Sequence, residues 1–123
     1  MSESKDYLVQ EVDKGTVNIS EEVVAAIAAM AASEVEGVYG LNAGFTADLK
    51  EMLGKKNMSK GVKLTIEEDV VTVEAFVILT YGYEIPAVAA AVQENVISAV
   101  EGMTGLKVAA VNVDICDISQ PKQ

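Results

Sequence analysis

The sequence has no histidine, no arginine and no tryptophan, two prolines and a single cysteine. Without histidine, no side chain titrates near neutral pH at its ordinary value, and general acid–base catalysis and His-ligated zinc lose their usual agents. The lone Cys116 excludes an internal disulfide and a Cys-rich metal site, and it fits a reducing compartment. It sits in a strand-like stretch with no histidine to activate it, so it reads as a structural thiol rather than a nucleophile. All positive charge is lysine: nine cations face 19 acidic residues, leaving a net charge of −10 and a pI near 4.3. A field of that sign repels phosphate backbones and anionic lipid, which argues against a general nucleic-acid binder and against direct membrane binding. Long apolar runs are missing too. The longest, Val23 to Ala32, is about half of what a bilayer span needs, and the polar, acidic first ten residues lack the pattern of a secretory leader. The expectation is a cytoplasmic non-enzyme without cofactor or metal.

What is present is apolar patterning for one domain. Half the residues are hydrophobic, enough for a core in a chain of this length. The stretch Ser33-Glu34-Val35-Glu36-Gly37-Val38-Tyr39-Gly40-Leu41 returns as Ser98-Ala99-Val100-Glu101-Gly102-Met103-Thr104-Gly105-Leu106. Each copy closes a long Ala/Val-rich run, and each reads as a helix end, with Gly37, Gly40, Gly102 and Gly105 as exits that redirect the chain. The first helix is expected over 21–36, capped by Ser20, with Val24, Ile27, Ala28, Ala31 and Val35 on its buried face. The second is expected over 86–101 with Pro86 in its first turn. A short strand at Thr16–Ile19 precedes the first helix. A hairpin spans Val62–Ile66 and Val71–Thr80 around Glu67-Glu68-Asp69, and a final strand covers 106–118. From Ala75 to Leu79 both faces are apolar, the mark of a central or doubly covered strand. The order gives an α+β fold: a two-layer β-α-β-β-α-β arrangement with two main helices on one face of a small, mostly antiparallel sheet. Residues 1–14 read as a mobile acidic arm, 15–118 as the single domain, 42–60 as a long Lys-rich loop with room for a short helix, and 119–123 as a polar tail. Such a sheet has open edges, so pairing between subunits is a further expectation.

Three features invite a functional reading. Lys50, Lys55, Lys56, Lys60 and Lys63 cluster in an otherwise acidic chain. They form either a solvated connection or a partner-docking loop for an acidic surface, and no glycine-rich phosphate signature sharpens the second reading. Gly102-Met103-Thr104-Gly105 and Gly37-Val38-Tyr39-Gly40 match the GxxG clamp of KH domains. Neither carries a lysine, and each leads into an extended segment rather than a second helix, so RNA binding stays a minor alternative. The adjacent acids of the hairpin turn lack an EF-hand loop and read as solvated charge.

Gly15-x-Val17-x-Ile19, Glu34-Val35-Glu36-Gly37-Val38, Gly61-Val62, Tyr81-Gly82, Val92-Gln93-x-x-Val96, Met103-Thr104-Gly105-Leu106 and Val111-Asn112-Val113, in that order and spacing, resemble the bacterial alkaline shock protein family, which includes the glucose-starvation-inducible general stress protein. The resemblance covers about residues 15–118 and is nearest to short members from Gram-positive bacteria. It implies a small cytosolic non-enzyme acting in cell-envelope homeostasis or stress by protein contact and self-association. Some members are brought to the membrane by an integral membrane partner. The family offers no catalytic residues to carry over. Because some short members are encoded near acetyl-CoA carboxylase genes, the resemblance also implies an alternative, a regulator of a metabolic enzyme such as that carboxylase.

Overall fold

The fold is built on the strand from Val70 to Thr80. In the computed structural model, which describes residues 7–42, 57–59 and 61–119, Val71, Val73, Ala75, Val77 and Leu79 point one way and are buried almost completely. Every second side chain of a strand shares a face, so this alternation alone defines the core side of the sheet.

In chain order the elements are β1 (Tyr7–Val12), β2 (Gly15–Ser20), α1 (Glu21–Ser33), β3 (Val38–Leu41), β4 (Asn57–Ser59), β5 (Val62–Glu67), β6 (Val70–Thr80), α2 (Ile85–Thr104) and β7 (Lys107–Ser119). On one side β6 pairs with β5 over its first half and with β3 over its second, both antiparallel; β4 extends the sheet beyond β5. On its other side β6 pairs with β7 in parallel along its whole length. The parallel pair follows from α2, which carries the chain back to the starting end of β6 before β7 begins. The α+β reading stands, with β6 central as its two apolar faces require.

Both helices lie on the β6 face that holds Val71 to Leu79. α1 buries Val24, Ala25, Ala28, Ala29, Ala31 and Ala32; its small side chains let α2 and the sheet come close. α2 buries Val88, Val92, Val96 and Val100, a stripe at four-residue spacing. Leu64, Val62, Leu106, Val108 and Val111 complete the same cluster. Ser20 caps α1 as expected, its hydroxyl accepting from the Val23 N–H at 3.1 Å, with Glu21 and Glu22 at the positive end of the helix dipole.

Several boundaries differ from the sequence reading. Residues 7–12 are not part of a free arm: they form β1, which pairs with β2 in a two-stranded sheet of its own. Leu8 supplies the reason, since it enters the core, and Gln10 Nε2 donates to the Thr104 carbonyl at 2.7 Å. α1 ends at Ser33 rather than Glu36, and β3 starts at Val38, after residues 34–37. α2 runs through Gly102 to Thr104 and exits at Gly105, which has φ 78°. The buried Thr104 hydroxyl donates to the Val100 carbonyl and accepts from Leu106 N–H, which holds the last turn helical past Gly102.

Candidate functional site

The face of the sheet turned away from the helices carries a charge cluster that the fold assembles from distant residues. Thr72, Glu74, Phe76 and Ile78 alternate with the core positions of β6. The β5 register sets Lys63 opposite Glu74, and the β7 register sets Asp114 opposite Phe76. Lys63 Nζ lies 3.5 Å from Glu74 Oε1. The Asp114 carboxyl is pushed up to about 6, chiefly by its hydrogen bond with Glu74, then by burial and by the Glu74 charge, with Lys63 opposing. Its Oδ2 is buried with no hydrogen-bond partner among the described residues. A neighbouring carboxylate disfavours the ionised form of Asp114. Beside them Asn42 Nδ2 donates to Cys116 Sγ at 3.5 Å, and the thiol reaches the Val77 carbonyl at 3.6 Å. Phe76 is only 4% exposed yet lies outside the core cluster. The arrangement holds or releases a proton near pH 6. It sets no nucleophile against a base, and among the described residues no group of three His, Cys, Asp or Glu side chains is placed to hold a metal ion.

The sequence candidates are dispersed. Lys50, Lys55, Lys56 and Lys60 lie outside the described residues; Lys63 is engaged by Glu74. Gly37, at φ 100°, is a required glycine: a Cβ there would stand 2.7 Å from Val88 Cγ2 and 3.0 Å from Tyr83 Cδ2. Gly105 is a helix exit. Gly40 is a residue of β3 beside a register shift, and Gly102 lies within α2, so neither is an exit. The first copy leaves its helix at Glu34, three residues before Gly37, and the second at Gly105, which removes the shared geometry a backbone clamp would need.

Three surfaces among the described residues bear on association. A groove of about 470 Å³ between the end of α1 and the middle of α2 is lined by Glu34, Val35, Glu36, Ala91, Glu94 and Asn95, among others. At its edge the Tyr83 hydroxyl donates to Glu36 Oε2 at 3.2 Å, which raises the phenol pKa. The outer edge of β7 is guarded. Its Val108 N–H donates to Glu101 Oε2 at 2.9 Å, Gln93 Nε2 donates to its Val111 carbonyl at 3.0 Å, and its Ile118 N–H donates to Asp117 Oδ1 at 2.8 Å. Two register shifts interrupt its pairing with β6; bulges and side chains of this kind blunt an edge strand against association. The third surface is the β1–β2 hairpin, where Val9, Val12 and Val17 are exposed.

A family model matches residues 9–120: the alkaline shock protein 23 family, with cell envelope-related function. The chain belongs to this family. Its relatives include the uncharacterized protein YqhY of Bacillus subtilis, 40% identical over 104 residues, covering 85% of this chain and 77% of that one. The uncharacterized protein Spy1535 of Streptococcus pyogenes is 37% identical, covering 82% and 77%. A stress response regulator gls24 homolog of S. pyogenes is 29% identical; the match covers 89% of this chain and 62% of that longer protein. Among solved structures a variant of MamM-CTD gives a TM-score of 0.48 at 16% identity, covering 84% of this chain and 96% of that one, too remote a likeness to bear on function. Among the described residues of this alkaline shock family member, no helix is long and apolar enough to cross a membrane.

The Glu74–Asp114 pair escaped sequence reasoning. Alternation puts both on outward faces, but nothing in the sequence gives the parallel register that brings residues forty positions apart within reach.

Proposed function

We propose that this protein is a non-enzymatic interaction protein of the cell-envelope stress response, working by protein–protein contact and self-association. The observation that carries the reading is the family match across residues 9–120, joined to a relative named as a stress response regulator. The residue chemistry supports it. A chain without histidine, whose Cys116 thiol meets Asn42 and the Val77 carbonyl rather than a base, offers surfaces rather than a reaction. We place it in the cytoplasm, reaching the membrane through a partner. The lysines from Lys50 to Lys60 form the docking loop for an acidic partner surface, and the working domain includes β1, from Tyr7 onward.

Deleting the gene and exposing cells to alkaline or cell-wall stress tests this reading. Reduced survival, restored by the wild-type gene, is the expected result; survival equal to the parent strain overturns it. Reversing Lys55, Lys56 and Lys60 to glutamate tests the docking loop. Capture of the protein's partners is expected to drop at least tenfold, and undiminished capture reduces the segment to a connection.

A further inference from the structure

The main sheet protects its edges, and the N-terminal hairpin does not. β7 has its capped backbone groups and register shifts, β3 is four residues long with a register shift, and β4 is only three residues long. β2 has none of these devices. It runs from Gly15 to Ser20 without a charge, a proline or a register shift, and its first four residues are exposed. The closing pair Val12↔Gly15 fixes the alternation of the hairpin ladder. The N–H and C=O groups of Thr16 and Asn18 therefore point away from β1. Among the described residues no backbone or side-chain group meets them. A two-stranded ribbon is marginal by itself and gains from a third and fourth strand. Here the ribbon also exposes Val12 and Val17 on the face that carries Leu8 into the core.

We propose that β2 is the edge through which two copies of this chain pair, antiparallel about a two-fold axis at Val17, to make a four-stranded β1–β2–β2′–β1′ sheet. This rests on the reading that the protein works by protein contact and self-association, and it names the surface. Charge selects the strand and the partner. Two chains of net charge −10 repel, and β1 would bring Glu11 to the seam. β2 is the uncharged strip on which the copies can approach, with charge elsewhere screened beyond about 8 Å at physiological salt. A strand pairing with itself about a two-fold needs no second sequence. In this register Thr16 opposes Asn18 of the second copy, two side chains able to hydrogen-bond, and the two Val17 side chains meet at the axis.

Sedimentation equilibrium of the full chain up to about 100 µM, where contacts of moderate strength are populated, is expected to give twice the 13.0 kDa chain mass. Asn18→Pro removes an outward N–H without touching the β1 ladder and is expected to return the mass to one chain, with circular dichroism unchanged. Should that variant misfold, Val17→Cys in a Cys116→Ser background serves instead. Mild oxidation is expected to cross-link it into a dimer through the axial pair, while Val9→Cys, on the other face of the hairpin, stays uncross-linked. A wild-type mass of one chain, a dimer that survives Asn18→Pro, or equal cross-linking at both cysteines overturns the proposal. A wild type that is monomeric but whose deletion still sensitises cells to envelope stress removes this interface and the self-association, and leaves the envelope stress role standing. A β2-paired dimer whose deletion has no phenotype does the reverse.

Discussion

Asp114→Asn gives the sharpest energetic prediction. The Asp114 carboxyl is raised from 3.8 to about 6, so its ionised form is disfavoured in the fold relative to the unfolded chain. Above pH 6 the folded protein therefore carries a penalty that disappears as pH falls from 6 towards 3.8, where both states are protonated. Each pKa unit is worth about 1.4 kcal/mol, so the full shift sets a ceiling of about 3 kcal/mol. The carboxyl is only partly buried, and solvent screening brings the expected effect to about 1 kcal/mol. Asparagine keeps the size, can still donate to Glu74 and carries no charge. Thermal melts of both proteins from pH 4 to pH 7 isolate this term, since the other carboxylates are common to both. Asp114→Asn is expected to be more stable at pH 7 by about 1 kcal/mol, or about 4 °C, with the gap closing by pH 4. A gap that is constant across the range, or a variant less stable than wild type at pH 7, refutes the assigned role of the Glu74 neighbour.

Other outcomes follow from the backbone. Gly37→Ala meets Val88 and Tyr83 at a positive φ, and Gly61→Ala, at φ 87°, sets its Cβ 2.5 Å from that of Leu41; each is expected to cost about 2–4 kcal/mol in chemical denaturation. Gly102→Ala, in an open helical position, is expected to stabilise by about 0.5–1 kcal/mol, whereas Gly105→Ala at the true exit destabilises by about 1 kcal/mol; the opposite ranking by thermal melting would restore Gly102 as the helix end. The β5–β6 turn holds Glu68 at φ 52° and Asp69 at φ 71°. Replacing Glu68-Asp69 by Asn-Gly, which suits a type I′ turn, is expected to raise stability by about 1 kcal/mol, again read by thermal melting.

The sequence declared what periodicity encodes. The alternation of β6 marked a central strand, and the Ala/Val runs marked two helices with their buried faces. What it did not declare depends on tertiary contact. β1 hides because its apolar residues do not alternate strictly and, among the described residues, Leu8 and Gln10 tie it to the domain; β3 hides because its four residues are too short an alternation to read. The Gly102 error has a local cause: Thr104 satisfies backbone groups with its own hydroxyl, so the glycine that looked like an exit stays helical. The charge cluster on the outer sheet face depends on two registers at once, β5 with β6 and β6 with β7. Neither is written in any single segment, although the outward positions of Glu74 and Asp114 were.

The central claim, that this protein acts by holding other proteins within the envelope stress response, is tested most directly by cross-linking it in its native cells, purifying it and identifying what comes with it. The account predicts further copies of the chain together with an envelope or membrane-anchored protein, enriched under stress and lost when Lys55, Lys56 and Lys60 are reversed. Recovery with subunits of a metabolic enzyme such as acetyl-CoA carboxylase, or with RNA and no protein, would contradict it.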